Sequence, residues 1–160
     1  MGAMRIAIAS DHAAVTLKQV VVDHLSGLGY EVRDLGTNDA SVSVDYPDYG
    51  AAVGRAVATG TAELGVALCG SGIGIAIAAN KIAGVRAAVI WDATTGHLAR
   101  EHNHANVVCL GERVTGQSTA IDAIDAFLAA TPAEGRHLKR LAKLAALDDA
   151  ASLPPETKEL

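Results

Sequence analysis

The stretch Cys69-Gly70-Ser71-Gly72-Ile73-Gly74 follows one apolar run, Leu64 to Leu68, and leads into another that extends to Ile82. A glycine loop that opens a helix gathers backbone N–H groups able to hold negative charge. A dinucleotide site of this kind needs G-x-G-x-x-G, and Ile75 stands where the third glycine belongs, although Asp92 follows a later strand at a spacing suited to a ribose contact. A Walker-type loop needs Gly-Lys-Ser/Thr, whereas Gly74 is followed by Ile75-Ala76. A cysteine phosphatase closes its loop with arginine, and the first arginine after Cys69 is Arg86. A phospho-acceptor domain would carry Asp where this chain has Cys69. A further chemistry is a thiolate facing an oxyanion cradle, in which the amides around Gly70, Gly72 and Gly74 receive developing charge and favour the neighbouring thiolate. A base so placed can move a proton on a carbon acid, as an aldose–ketose isomerisation through an enediolate requires. An inert, buried cysteine and the dinucleotide contact stand as alternatives at this point.

These residues need strand ends to hold them. Met4 to Ala9 is an apolar run ended by Ser10-Asp11-His12, and residues 13–28 then carry helical periodicity with Gly27 and Gly29 as stops. Tyr30 to Leu35 reads as a second strand, and Asp45-Tyr46-Pro47 opens a helix with proline in its first turn. Leu64 to Leu68 is a third strand and Ile73 to Ile82 a helix. Arg86 to Trp91 is a fourth strand, followed by a helix through His102 and a fifth strand, Asn106 to Leu110. Residues 117–130 and 133–147 are two closing helices, split by Pro132. Strands alternating with helices predict an α/β fold: a doubly wound, five-stranded parallel sheet in a flavodoxin-like three-layer sandwich. Ligands in such sheets sit beyond the carboxyl ends of the strands, where Asp11, Cys69 and Asp92 fall.

The 160 residues suit one domain, with 50% hydrophobic but only 3% aromatic residues, so the core must be aliphatic. A net charge of −5 argues against nucleic acid or an anionic membrane as partner. No apolar run reaches a membrane span, and Cys69 and Cys109 lack metal or disulfide-framework spacing, so a cytoplasmic, reduced protein is expected. Cys109, within an apolar strand, reads as core, and His24 as an exposed helix residue. Met1-Gly-Ala3 reads as an artificial addition, residues 4–147 as the domain, and 148–160 as a polar tail that could pack on a neighbouring subunit.

Taken in order, Ser10-Asp11-His12, Asp45-Tyr46-Pro47, Cys69 to Gly74, Ala78 to Lys81, Arg100-Glu-His-Asn103, Gly111-Glu-Arg113 and Gly135-Arg-His137 closely resemble the type B ribose-5-phosphate isomerase family, which includes galactose-6-phosphate isomerase subunits. The resemblance covers residues 4 to about 146. It implies that Cys69 moves the proton between C2 and C1, the subtype without a carboxylate base at position 75. It also implies that the Gly70–Gly74 amides and Ser71 hold the enediolate. His102 would open the furanose ring, and Asp11 would bind hydroxyls or relay a proton between O1 and O2. Tyr46 and Asn103 would be substrate contacts, with His12, Arg113, Arg136 and Arg140 at the phosphate; residues 136 and 140 share one helix face by spacing. The implied reaction interconverts ribose 5-phosphate and ribulose 5-phosphate in the pentose phosphate pathway, without cofactor. Allose 6-phosphate, galactose 6-phosphate or a tetrose phosphate are rival substrates, and a non-enzymatic nucleotide-binding module is the rival class. Sites shared between two subunits imply a homodimer, or a tetramer built from it. His97, His102 and His104 lack a completing carboxylate or cysteine, so no metal is expected. His104 itself departs from the acidic residue of many relatives, which would alter the charge near His102.

Overall fold

The computed structural model describes residues 2–149. Five strands, β1 (Arg5–Ser10), β2 (Glu31–Asp34), β3 (Leu64–Cys69), β4 (Ala87–Val89) and β5 (Val107–Gly111), form one parallel sheet in the order β2-β1-β3-β5-β4. Six helices alternate with them or follow: α1 (Val15–Gly27), α2 (Tyr46–Ala58), α3 (Ile73–Asn80), α4 (Ala93–Asn103), α5 (Gln117–Ala129) and α6 (Arg136–Ala146). The fold is the expected α/β three-layer class. Its last two strands are exchanged relative to the 2-1-3-4-5 order of flavodoxin. The reason lies in the strands themselves. β5, Val-Val-Cys-Leu-Gly, is longer and bulkier in its apolar side chains than β4, Ala-Ala-Val, and takes the interior, where every one of its residues is buried, while β4 closes the edge half-buried. The opposite edge is β2, whose Glu31, Arg33 and Asp34 are the charges that discourage edge-to-edge pairing.

Side-chain alternation divides the core by size. Ile6, Ile8, Val66, Leu68, Val108 and Leu110 face the side covered by α1, α4 and α5. Ala7, Ala9, Ala67, Cys69 and Cys109 face α2 and α3. The small side lets the two helices come close to the sheet and to each other; a Cβ on Gly50 of α2 would lie 2.6 Å from the Ile75 carbonyl of α3. Cys109 is fully buried, as expected, and burial, with Cys69 close by, pushes its thiol pKa up. His24 differs from expectation. Its Nε2 lies 2.7 Å from Asp125 Oδ1, so it links α1 to α5 rather than facing solvent alone. Asp148 and Asp149 are the described residues of the expected tail; its remainder, with Pro154 and Pro155, lies outside them.

The α4–α5 contact depends on a missing side chain, since a Cβ on Gly96 would lie 2.1 Å from the Ala123 carbonyl oxygen. Gly96→Ala is expected to destabilise the fold by about 1–3 kcal/mol. The readout is a lower urea midpoint at unchanged slope; an unchanged midpoint would show that the two helices separate without cost.

Candidate functional site

β1 and β3 are neighbours whose following helices leave to opposite faces of the sheet, which makes the gap at their carboxyl ends the switch point of the fold. Asp11 sits at the end of β1 and Cys69 at the end of β3. Asp11 is nearly buried; its backbone N–H donates to the Leu68 carbonyl (3.1 Å), and its Oδ1 accepts from Ala13 N (2.9 Å) as the cap of a short 3₁₀ turn over His12–Ala14. Cys69 is 4% exposed, and its Sγ accepts the backbone N–H of Gly72 at 3.1 Å.

The glycine loop is shaped by what presses on it. Gly72 has φ +79°, the left-handed conformation that starts α3, and a Cβ there would strike the Leu110 carbonyl carbon at 2.8 Å. From the other side, a Cβ on Gly74 would lie 2.7 Å from the ring of Tyr46. The Arg113 guanidinium lies over Gly70, 3.0 Å from where a Cβ would be, and the Arg113 N–H donates to the Gly70 carbonyl. Ser71 Oγ accepts from Ile73 N at 3.3 Å. Asp11, Tyr46, Cys69, Gly70, Ser71, Gly74, Arg113 and Val114 line a cleft of about 290 Å³. His12 adjoins it in sequence without lining it; its Nδ1 lies 3.2 Å from both the backbone N and the backbone O of Val44.

The other four candidates sit elsewhere. α4 runs back from the carboxyl end of β4, so His102 and Asn103, at its end, lie beside the amino ends of the strands. Arg86, just before β4, donates to the carbonyls of Asn103 and His104 there. A strand of six residues spans ~20 Å, so in one chain the length of the sheet separates His102 from Cys69. The His102 ring stacks on His137 of α6, with centroids 4.6 Å apart and planes 15° apart. Arg136 and Arg140 flank that histidine on the same helix. Burial, together with the charges of His102, Arg136 and Arg140, holds His137 below the ordinary imidazole pKa. Glu101 Oε2 lies 3.2 Å from His102 Nε2 and 3.4 Å from His97 Nε2.

Two residues weighed from sequence have local tasks. Asp92, the ribose-contact alternative, caps α4: its Oδ1 accepts from Thr95 N (2.7 Å) and Oγ1 (2.9 Å), bonds that hold its carboxyl below the usual range. His104 ends α4 at φ +47°, with its Nε2 2.6 Å from the Ala133 carbonyl oxygen rather than against His102. Among the described residues, no three His, Cys, Asp or Glu side chains gather as a metal site, and no helix is long and apolar enough to cross a membrane. Val114 in the cleft escaped the sequence reading, and Glu101 beside His102 and Glu112, whose Oε2 accepts the Leu17 N–H at the start of α1, were given no role by it. Both carboxylates stand inside the motifs Arg100-Glu-His-Asn103 and Gly111-Glu-Arg113, which was the available signal.

Comparison with known proteins identifies the family. The family model described as ribose/galactose isomerase matches residues 6–144. Ribose-5-phosphate isomerase B of Escherichia coli is 42% identical over 144 residues, which cover 90% of this chain and 96% of that protein. The structure of ribose-5-phosphate isomerase B from Clostridium thermocellum superposes with a TM-score of 0.89 at 46% identity, covering 91% and 97% of the two chains. That of the Mycoplasma genitalium enzyme, with bound ribulose 5-phosphate, gives 0.88 at 39% identity over 92% and 98%. A family match over residues 6–144, with a fold and sequence shared along nearly the whole length, places the chain in the ribose/galactose isomerase family.

Proposed function

We propose that the protein interconverts ribose 5-phosphate and ribulose 5-phosphate, with Cys69 as the base. The observation that carries this reading is the Cys69 Sγ, held by the Gly72 N–H on the floor of a cleft that also contains Asp11. In the open-chain aldose the thiolate removes the C2 proton. The electron pair forms the C1–C2 double bond, and charge passes to O1, where the loop amides from Gly70 to Gly74 receive it. Asp11 passes a proton from O2 to O1, the thiol returns its proton to C1, and O2 becomes the ketone. The hydrogen shift is internal to the substrate and redox-neutral, so the step requires no cofactor. The named activity of the Escherichia coli and Mycoplasma genitalium relatives favours the five-carbon pair over other aldose phosphates. The engagement of Asp92 in capping weighs against the nucleotide-binding alternative. Reduced, unpaired cysteines fit a cytoplasmic setting.

Ring opening and phosphate binding bring in the second cluster, and we assign these to the partner chain of a homodimer. His102 would protonate the ring oxygen, its imidazole suited to proton transfer near neutral pH. Asn103 would bind hydroxyls, and Arg136 and Arg140 would clamp the phosphate opposite Arg113 and His12. Two features support a shared site. The clusters lie at opposite ends of one chain's sheet, and both are bordered by exposed apolar side chains: Ile73, Ile77 and Val114 near the cleft, Leu138 and Leu144 on α6.

Cys69→Ala is expected to lower kcat by ~10²–10⁴-fold with KM nearly unchanged, because loss of a base acts on the transition state. Near-normal turnover would remove Cys69 from the role. Arg136→Ala and Arg140→Ala should chiefly raise KM, measured with ribose 5-phosphate; unaffected kinetics in both would place the phosphate elsewhere. Mixing inactive Cys69→Ala and His102→Ala proteins tests the shared site. Subunit exchange should restore about a quarter of wild-type activity, since half the dimers would be mixed and carry one intact site. No recovery, with exchange verified by mass, would assign both residues to the same chain.

A further inference from the structure

Lys18, on the first turns of α1, is 1% exposed, the deepest charge among the described residues. Its Nζ lies 2.7 and 2.5 Å from the two carboxylate oxygens of Asp34, the last residue of β2, and 2.5 Å from Asn38 Oδ1. All three ammonium hydrogens therefore have acceptors. A buried ion pair is a weak device for stability, because desolvation cancels most of the attraction and an apolar side chain of similar volume often does as well. What such a pair does supply is direction: each donor must meet its own acceptor, which fixes the segments that carry them.

The segment fixed here is the irregular stretch of residues 35–45. At its root, Ser10 N donates to the Gly36 carbonyl and Thr37 N to the Ser10 carbonyl, each at 2.7 Å, which ties it to the residue before Asp11. Asn38 is the next residue along, and Lys18 holds it. At the far end, Val44 contacts His12 Nδ1, and Asp45 precedes Tyr46, whose ring lies against Gly74 and lines the cleft. Residues 39–43 between these ends are exposed, and Asp39 Oδ1 accepts from Ser41 N (2.8 Å) and Oγ (2.6 Å) within them, so the long-range ties of the stretch lie at its two ends.

We propose that Lys18 is a positioning residue for the cleft: by clamping Asp34 and Asn38 it fixes the stretch that orients His12 and Tyr46. The kinetic consequence rests on reading the cleft as the sugar-phosphate site; the geometric one does not. Lys18→Met keeps the stem and removes the ammonium, and Asn38→Ala, at the exposed end of the clamp, serves if the first variant does not fold. The imidazole ¹⁵N signals of His12, recorded without substrate, report its tautomer and its hold on Val44. Both variants should shift those signals and raise KM for ribose 5-phosphate by ~3–10-fold, with kcat within about twofold of wild type. Unchanged His12 signals in a folded variant, or an unchanged KM in an active one, would overturn the proposal and leave the clamp a matter of stability alone. Shifted signals in a protein whose wild type turns over no sugar phosphate would support the positioning role while rejecting the isomerase reading.

Discussion

The site depends on one close approach of backbone to backbone. At the carboxyl end of β5, Leu110 and Gly111 lie against the loop that follows β3, so closely that a Cβ on Gly111 would fall 2.4 Å from the Ser71 carbonyl carbon. That contact leaves room for glycine alone at 72 and 111, and it turns the chain sharply enough to aim the Gly72 N–H back at Cys69. Because β5 lies beside β3 in the sheet, the loop rests on a buried strand rather than on another loop. The exchange of the last two strands is thus a condition for the cradle. An edge strand of three residues in that place would give it no such wall.

Two clusters of chemistry, one at each end of the sheet, follow from parallel topology. Side chains that end strands gather at the carboxyl edge, and side chains that end the connecting helices gather at the amino edge. Cys69 and Asp11 belong to the first set, His102 and Asn103 to the second. The stacked pair His102–His137 joins α4 to α6 and so brings the arginines of α6 beside the ring-opening candidate. Each cluster is internally organised by hydrogen bonds, stacking or helix spacing. Their separation is the strongest physical support for the proposed two-chain site.

Much of this was legible in the sequence because the apolar runs, the turn glycines and the ordered motifs all pointed to the same fold. The helix starts at Tyr46 and Gln117 and the strand at Leu64 followed from local chemistry. Strand order did not, since β4 and β5 are both short apolar runs and only the competition for burial ranks them. Lys18 and His24 were opaque for a related reason. A polar residue in a helix reads as solvated until its partner, Asp34 or Asp125, is brought across the fold. The separation of His102 from Cys69 was available in principle, because a residue that ends a connecting helix lies opposite one that ends a strand.

The division of the core by size has a consequence for how this chain can change. On the face covered by α2 and α3, the sheet offers Ala7, Ala9 and Ala67 beside Cys69 itself; α2 lies over β1 and β3, and α3, with Ile75, Ala76 and Ala79, over β3 and β5. The first turn of that helix is also the cradle. An added methyl group where α3 meets β3 and β5 would press on that helix and on the amides that open it. The opposite, isoleucine- and leucine-rich face has no such tie and can exchange one aliphatic for another at a cost in packing alone. Over evolutionary time the two sides of one sheet should therefore drift at different rates, the alanine side held still by the proposed cradle as well as by folding.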